Sequence, residues 1–150
     1  MKKLLTNIGK KSKIAFSISL STEKKNKVLK DYLRLIEKNK KLILNENLKD
    51  VKNANKKKLK ENLIERLYLN EKKILDIVYS IKKIIKLKDP TNVVLEKWKR
   101  PNGLIISKVS IPIGVVGVIY ESRPNVTADV ASLCFKSGNP VILKGGSESF

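Results

Sequence analysis

Two short loops hold the residues of this 150-residue chain best suited to chemistry. The first, Glu121-Ser122-Arg123-Pro124-Asn125, follows a continuous apolar run from Val115 to Tyr120 and leads into a helical pattern. The second, Lys144-Gly145-Gly146-Ser147-Glu148, follows Val141 to Leu143. An unbroken apolar run reads as a parallel strand buried on both faces, and the 30 residues from Val115 to Lys144 match the size of a βαβ crossover. In open parallel sheets ligands bind outside the carboxyl ends of the strands, where both loops fall.

Asn125 stands at the start of the crossover helix, and its amide can donate a hydrogen bond without ionising. That suits an oxyanion donor, though by itself the position reads first as a plain N-cap. In the second loop Lys144 offers a point charge, Gly145 and Gly146 let the backbone approach a ligand, and Ser147 adds a donor at the start of a further helix. Taken alone, those residues describe only a weak anion site.

Other chemistries are excluded by residue type or order. Gly114 and Gly117 sit before and inside the first strand, whereas a dinucleotide fingerprint follows a strand and opens a helix. Lys144 to Ser147 has the residue types of a phosphate-binding P-loop in the wrong order. The chain has no histidine and one cysteine, Cys134, so it contains no Ser-His-Asp or Cys-His site and no internal disulfide. Within the crossover helix Val126, Val130, Leu133 and Cys134 are expected to face inward, with Gly138 as a left-handed C-terminal cap.

The elements that must position these loops come before them. Thr22 and Glu23 mark a helix start, followed by Val28, Leu29, Tyr32, Leu33 and Ile36 at helical spacing. A second helical run spans Leu42 to Val51 and reaches a polar break at Asn53 to Lys58. The clearest stripe is Ile74, Leu75, Ile77, Val78, Ile81, Ile84 and Ile85, with lysines opposite, which predicts a helix packed on a core. Asp89-Pro90 ends the helical part. Val93 to Trp98 and Leu104 to Ile111 then read as two strands joined by the turn signals of Arg100 to Gly103. The expected fold is thus α/β, with a helical N-terminal part over residues 1–90, and a short β arm and the first βαβ unit of a parallel sheet over residues 91–150.

Charge raises a second reading. There are 33 basic against 14 acidic residues, and residues 1–90 hold 26 of the basic and 10 of the acidic ones. Such an excess suits phosphate backbones. Only four of the basic residues are arginine, however, and arginine is the residue that reads bases. The alternative is therefore a catalytically dead, lysine-rich protein that contacts nucleic acid through its helical half. Lys10, Lys11 and Lys13 interrupt the first apolar run, and no run of 18 apolar residues exists, so neither export nor a membrane span is expected.

The stretch P-I-G-V-V-G-V-I-Y-E-S-R-P-N from Pro112 to Asn125, with V-T-A-D-V-A-S-L-C-F-K-S-G-N-P-V-I-L-K-G-G-S-E after it, closely resembles the gamma-glutamyl phosphate reductase (glutamate-5-semialdehyde dehydrogenase) branch of the aldehyde dehydrogenase superfamily. Ordinary aldehyde dehydrogenases show Trp-Asn where this chain has Pro124-Asn125, so Y-E-S-R-P-N-V-T is specific to the branch. The N-terminal half resembles it more loosely, through I-L-N-E-N-L-K-D-V at Ile43 to Val51 and E-R-L at Glu65 to Leu67. The resemblance covers nearly the whole chain but only the N-terminal part of a family member, so a fragment is expected, inactive by itself.

The resemblance implies a cytoplasmic, NADP-dependent reductase of proline biosynthesis that acts on gamma-glutamyl phosphate and forms a homo-oligomer when complete. It implies that Asn125 stabilises the thiohemiacetal oxyanion, and that Lys144, where many relatives carry Arg, contacts the adenosine-ribose side of NADP. Ser122, Arg123, Gly145, Gly146 and Ser147 are expected at the cofactor beside Lys144. No metal is implied. The family's catalytic cysteine lies downstream of the region matched here, and Cys134 is expected to be a buried structural thiol.

Overall fold

The computed structural model describes residues 2–121 and 123–146. Among them are six helices and four short strands: α1 (Lys2–Phe16), α2 (Thr22–Lys38), α3 (Lys40–Lys56), α4 (Glu61–Leu67), α5 (Glu71–Lys86), β1 (Val94–Lys99), β2 (Ile105–Val109), β3 (Val116–Ile119), α6 (Pro124–Lys136) and β4 (Val141–Lys144). The expected α/β architecture is present. Helices α1 and α4 lie in segments where the sequence patterns mark no element.

The helix starts follow local chemistry. Ser21 accepts from Lys24 N–H to cap α2, and Asn70 accepts from Lys73 N–H to cap α5. Helix α3 runs four residues into the expected polar break and ends in a Schellman turn, in which Leu59 N–H donates to Ala54 O and Lys58 N–H to Asn55 O. That turn holds Lys58 at φ 52°, a left-handed position usually given to glycine.

One core is built by α2, α5 and α6 together. It contains Leu33 and Ile36 of α2, Leu69, Ile74, Ile77, Val78 and Ile81 in and just before α5, and Ala128 of α6. The expected stripe on α5 is correct except for Leu75, which is 60% exposed because it lies outside the arc that meets α2 and α6. Strands β1 and β2 form an antiparallel hairpin, closed at Arg100 to Gly103 and exposed along both strands except at half-buried Ile106.

Strands β3 and β4 pair in parallel, Val116 with Val141 through Ile119 with Lys144. Two expectations need correction here. β3 is not buried on both faces: Val116 and Val118 are half-buried while Gly117 and Ile119 are exposed, Ile119 at 80%. And the buried residues of α6 are Ala128, Ser132 and Lys136 rather than Val126, Val130, Leu133 and Cys134. The reason is that α6 packs chiefly on α5 and α2. Its opposite side meets a sheet of two strands, leaving Val126, Val130 and Cys134 half-buried and Leu133 47% exposed.

Polar braces fix these layers. Lys25, 3% exposed, donates to both oxygens of Asp89 and to Thr91 Oγ1 (3.0 Å), tying the start of α2 to the segment after α5. Lys136, 2% exposed, donates to Asn26 Oδ1 (2.6 Å) and to Ile85 O (3.1 Å) in the last turn of α5, where the helix dipole favours a cation. Buried Asn47 donates to Leu67 O (2.9 Å) and accepts from Leu69 N–H (2.7 Å). Buried Asn139 accepts from Gly114 N–H (3.0 Å), holding the turn into β3, where Gly114 adopts φ 126°. Gly138, at φ 72°, closes α6 in a second Schellman turn, as expected: Asn139 N–H donates to Cys134 O and Gly138 N–H to Phe135 O.

Candidate functional site at the start of helix α6

The two loops meet where the strands end. Tyr120 N–H donates to Lys144 O at 3.1 Å, which sets the residues after β3 beside those after β4. Arg123 occupies the N-cap position of α6 without a side-chain cap, and Pro124 fills the first helical turn with its fixed φ. Asn125 is therefore the second residue of the helix, and its side chain does not serve as the N-cap. Of its two sequence readings, the plain cap is excluded by position.

Two cavities open beside this helix start. One, of about 290 Å³, lies between α5 and α6 and is lined by Asp76, Ser80, Arg123, Asn125 and Asp129, with Arg66 and Lys73 at its edge. The other, of about 530 Å³, lies between α3 and the strand ends and includes Tyr120, Arg123, Thr127, Gly145 and Gly146. Arg123 lines both. Lys144 lies outside both, exposed at the end of β4. Ser122 and Ser147 lie outside the described residues.

Asp129 sits one helical turn after Asn125, so both side chains fall on one face. Burial pushes its carboxyl above the usual carboxylate range, and hydrogen bonding with the Asn125 and Ser80 side chains offsets part of that rise. Its Oδ1 is buried without a hydrogen-bond partner. The sequence patterns single out neither Asp129 nor Asp76 and Ser80. The usable signal is spacing: Asp129 is four residues beyond Asn125, and Asp76 and Ser80 are four apart on α5.

Cys134 does not belong to this site. Nine residues of helix separate it from Asn125, about 13 Å along the axis. It is half-buried, and burial raises its thiol pKa, the opposite of what an activated thiolate needs. Among the described residues no group of acidic, cysteine or histidine side chains could hold a metal ion, and no helix is long and apolar enough to cross a membrane.

Fold and site together define a mixed α/β protein with a parallel crossover, whose candidate site lies at the carboxyl ends of its strands. No family model matches the chain. A gamma-glutamyl phosphate reductase of Carboxydothermus hydrogenoformans is 51% identical over 146 residues, 96% of this chain and 35% of that protein. Another from Mesorhizobium japonicum is 64% identical over 70 residues, 47% of this chain and 16% of that protein. The crystal structure of gamma-glutamyl phosphate reductase from Thermotoga maritima superposes with a TM-score of 0.93 at 40% identity, over 97% of this chain and 36% of that one. The Saccharomyces cerevisiae structure does so at 0.91 and 34% identity, over 95% of this chain and 37% of that one. The chain belongs to the gamma-glutamyl phosphate reductases, matching their N-terminal part. It spans about a third of the length of the relatives that it matches end to end.

Proposed function

We propose that this chain forms the N-terminal part of an NADP-dependent reductase that converts gamma-glutamyl phosphate to glutamate-5-semialdehyde and phosphate, in the proline-biosynthetic role of its relatives. The observation that carries this reading is Asn125, placed at the carboxyl end of β3 with its amide freed from capping and turned toward a cavity large enough for a small substrate.

In this reading Asn125 donates its amide N–H to the oxyanion that develops when a thiol attacks the acyl carbon. A neutral donor at a helix start does this without a proton transfer of its own. Asp129 helps hold the amide's orientation through the contact noted above. The nucleophile is not Cys134; it would come from the part of the family's proteins beyond the matched third. The residues after β4 suit the phosphate-bearing end of a dinucleotide, since an exposed ammonium at Lys144 adjoins two glycines that line a cavity. NADPH bound there would supply the hydride. Lys144 would face the ribose phosphate, and Arg123, Gly145 and Gly146 would flank the cofactor or the gap between it and the substrate.

The reading also fits a soluble, cytoplasmic enzyme that assembles with copies of itself. The nucleic-acid alternative loses one lysine of the helical half, Lys25, which is engaged inside the fold.

The test joins residues 1–150 to the remaining part of the Carboxydothermus hydrogenoformans relative and measures NADP-dependent oxidation of glutamate-5-semialdehyde in phosphate. Turnover that survives Cys134→Ser is the expected result. A folded chimera without any turnover refutes the reading.

A further inference from the structure

We infer that the Tyr120 hydroxyl is a positioning group for Asn125: through its hydrogen bond with Thr127 Oγ1 it clasps the start of α6 to the end of β3 and so fixes where the oxyanion donor stands. The inference rests on the reductase reading above and adds to it the residues that hold the donor in place.

The need for a clasp comes from the loop itself. Arg123, at the N-cap position, gives α6 no side-chain cap, and Pro124 has no N–H by which the first turn could be anchored. The backbone bonds here are short-range, Arg123 N–H donating to Glu121 O (2.6 Å) and Val126 N–H to Arg123 O (2.9 Å). Neither joins the helix to the strand. The pair of Arg66 with Glu121 ties the loop to α4, but both side chains are largely solvated, and such a pair holds little.

Tyr120 and Thr127 supply the link. Their hydroxyl oxygens lie 2.5 Å apart, joining the residue after β3 to the first turn of α6. A hydroxyl within a helix often donates to the carbonyl four residues back, as Thr6 does to Lys2 O and Ser12 to Ile8 O in α1. Thr127 instead pairs across the loop. Tyr120 is held from its other side, since its N–H donates to Lys144 O, so the clasp refers the helix start to both strands.

Thr127 follows Asn125 by two residues, about 200° around the helix. The clasp therefore lies toward the second cavity, which Tyr120 and Thr127 line, while Asn125 lines the first. It sets the rotation of the helix start and leaves the substrate side open. A shift of about 1 Å in a positioned group can cost as much as about 100-fold in rate. Tyr120 and Thr127 are also the first and last residues of Y-E-S-R-P-N-V-T, so the segment that marks the branch is a loop whose two ends hold each other.

The test uses the chimera described above. Tyr120→Phe and Thr127→Val should each lower kcat about fivefold to tenfold, the range for one neutral hydrogen bond, with KM for glutamate-5-semialdehyde and for NADP little changed. Thr127→Ser, which keeps the hydroxyl, should stay within about twofold of the parent, and the double variant should be no slower than either single one. In an Asn125→Ala background Tyr120→Phe should have no further effect, whereas a merely structural loss would repeat itself there. Unchanged kcat in both single variants, additive losses in the double variant, or an equal loss in the Asn125→Ala background overturns the inference. A folded but inactive parent chimera refutes the reductase reading instead, and the clasp is then decided on the ¹⁵N-labelled chain. There Tyr120→Phe and Thr127→Val should each shift the Asn125 side-chain amide resonances and speed hydrogen exchange at Val126 N–H about fivefold. Resonances and exchange rates that do not move overturn it.

Discussion

Lys25 Nζ donates to both carboxylate oxygens of Asp89, at 3.1 Å and 3.0 Å, joining residues 64 positions apart in the chain. Burial alone would raise the Asp89 pKa. Thr91, through both its N–H and its hydroxyl, together with Lys25 and Thr22, outweighs burial and holds the carboxyl well below the usual carboxylate range. The carboxylate therefore stays ionised inside the fold, and its pairing with Lys25 fixes where α2 begins relative to the strand-bearing part.

Removing one partner of that pair should be expensive. Asp89→Ala leaves the Lys25 ammonium buried without a counter-charge and should cost about 3 kcal/mol, read from urea unfolding. The pH dependence has a definite sign: because folding depresses the Asp89 pKa, its stabilisation is fully present above the unfolded carboxyl value, about 3.9, and is lost as pH falls below it toward the folded value. Above pH 5 the gap between wild type and Asp89→Asn should be constant. It should narrow on acidification, and a gap that widens below pH 4 contradicts the assignment.

Asn125→Ala should leave the fold intact, since the side chain does not cap α6. In the chimeric reductase it should lower kcat by roughly 100-fold with little change in the apparent constant for NADPH, as expected when an oxyanion donor is lost. A change confined to cofactor affinity would place Asn125 at the wrong ligand.

Lys144→Ala should do the reverse. In the proposed reading its exposed ammonium at the end of β4 meets the ribose 2′-phosphate, so the substitution should raise the apparent constant for NADPH and narrow its preference over NADH. An NADPH-to-NADH ratio that does not move would remove Lys144 from the cofactor site.

Lys58→Gly should stabilise the chain. Lys58 holds φ 52° in the Schellman turn after α3, where a side chain carries a steric cost that glycine avoids. The gain expected is about 1 kcal/mol, seen as a higher unfolding midpoint in urea. No gain would mean that the Lys58 side chain offsets that cost by contacts of its own.

Several elements follow from residues close together in the sequence, and those were legible there. Arg100 to Gly103 closes the hairpin because turn chemistry is local, and Gly138 ends α6 because a left-handed cap needs no distant partner. The stripe from Ile74 to Ile85 announces α5 because an apolar arc repeats every turn. Asn125 and the two strand-end loops were legible for the same reason, as a strand, a loop and a helix start in sequence order.

The tertiary structure decided which members of each pattern meet something. Leu75 belongs to the α5 stripe yet faces solvent, and the inner side of α6 is Ala128, Ser132 and Lys136, because α5 and α2 cover that side while only two strands approach the other. Among 29 lysines nothing local distinguishes Lys25 or Lys136, whose partners lie 64 and 110 residues away. The same holds for the cavity beside Asn125: Asp76 comes from α5 and Asp129 from α6, and only the packing of those two helices makes them neighbours. Local periodicity names the faces of an element, but burial and charge pairing are properties of what lies opposite, which the chain supplies only once it has folded.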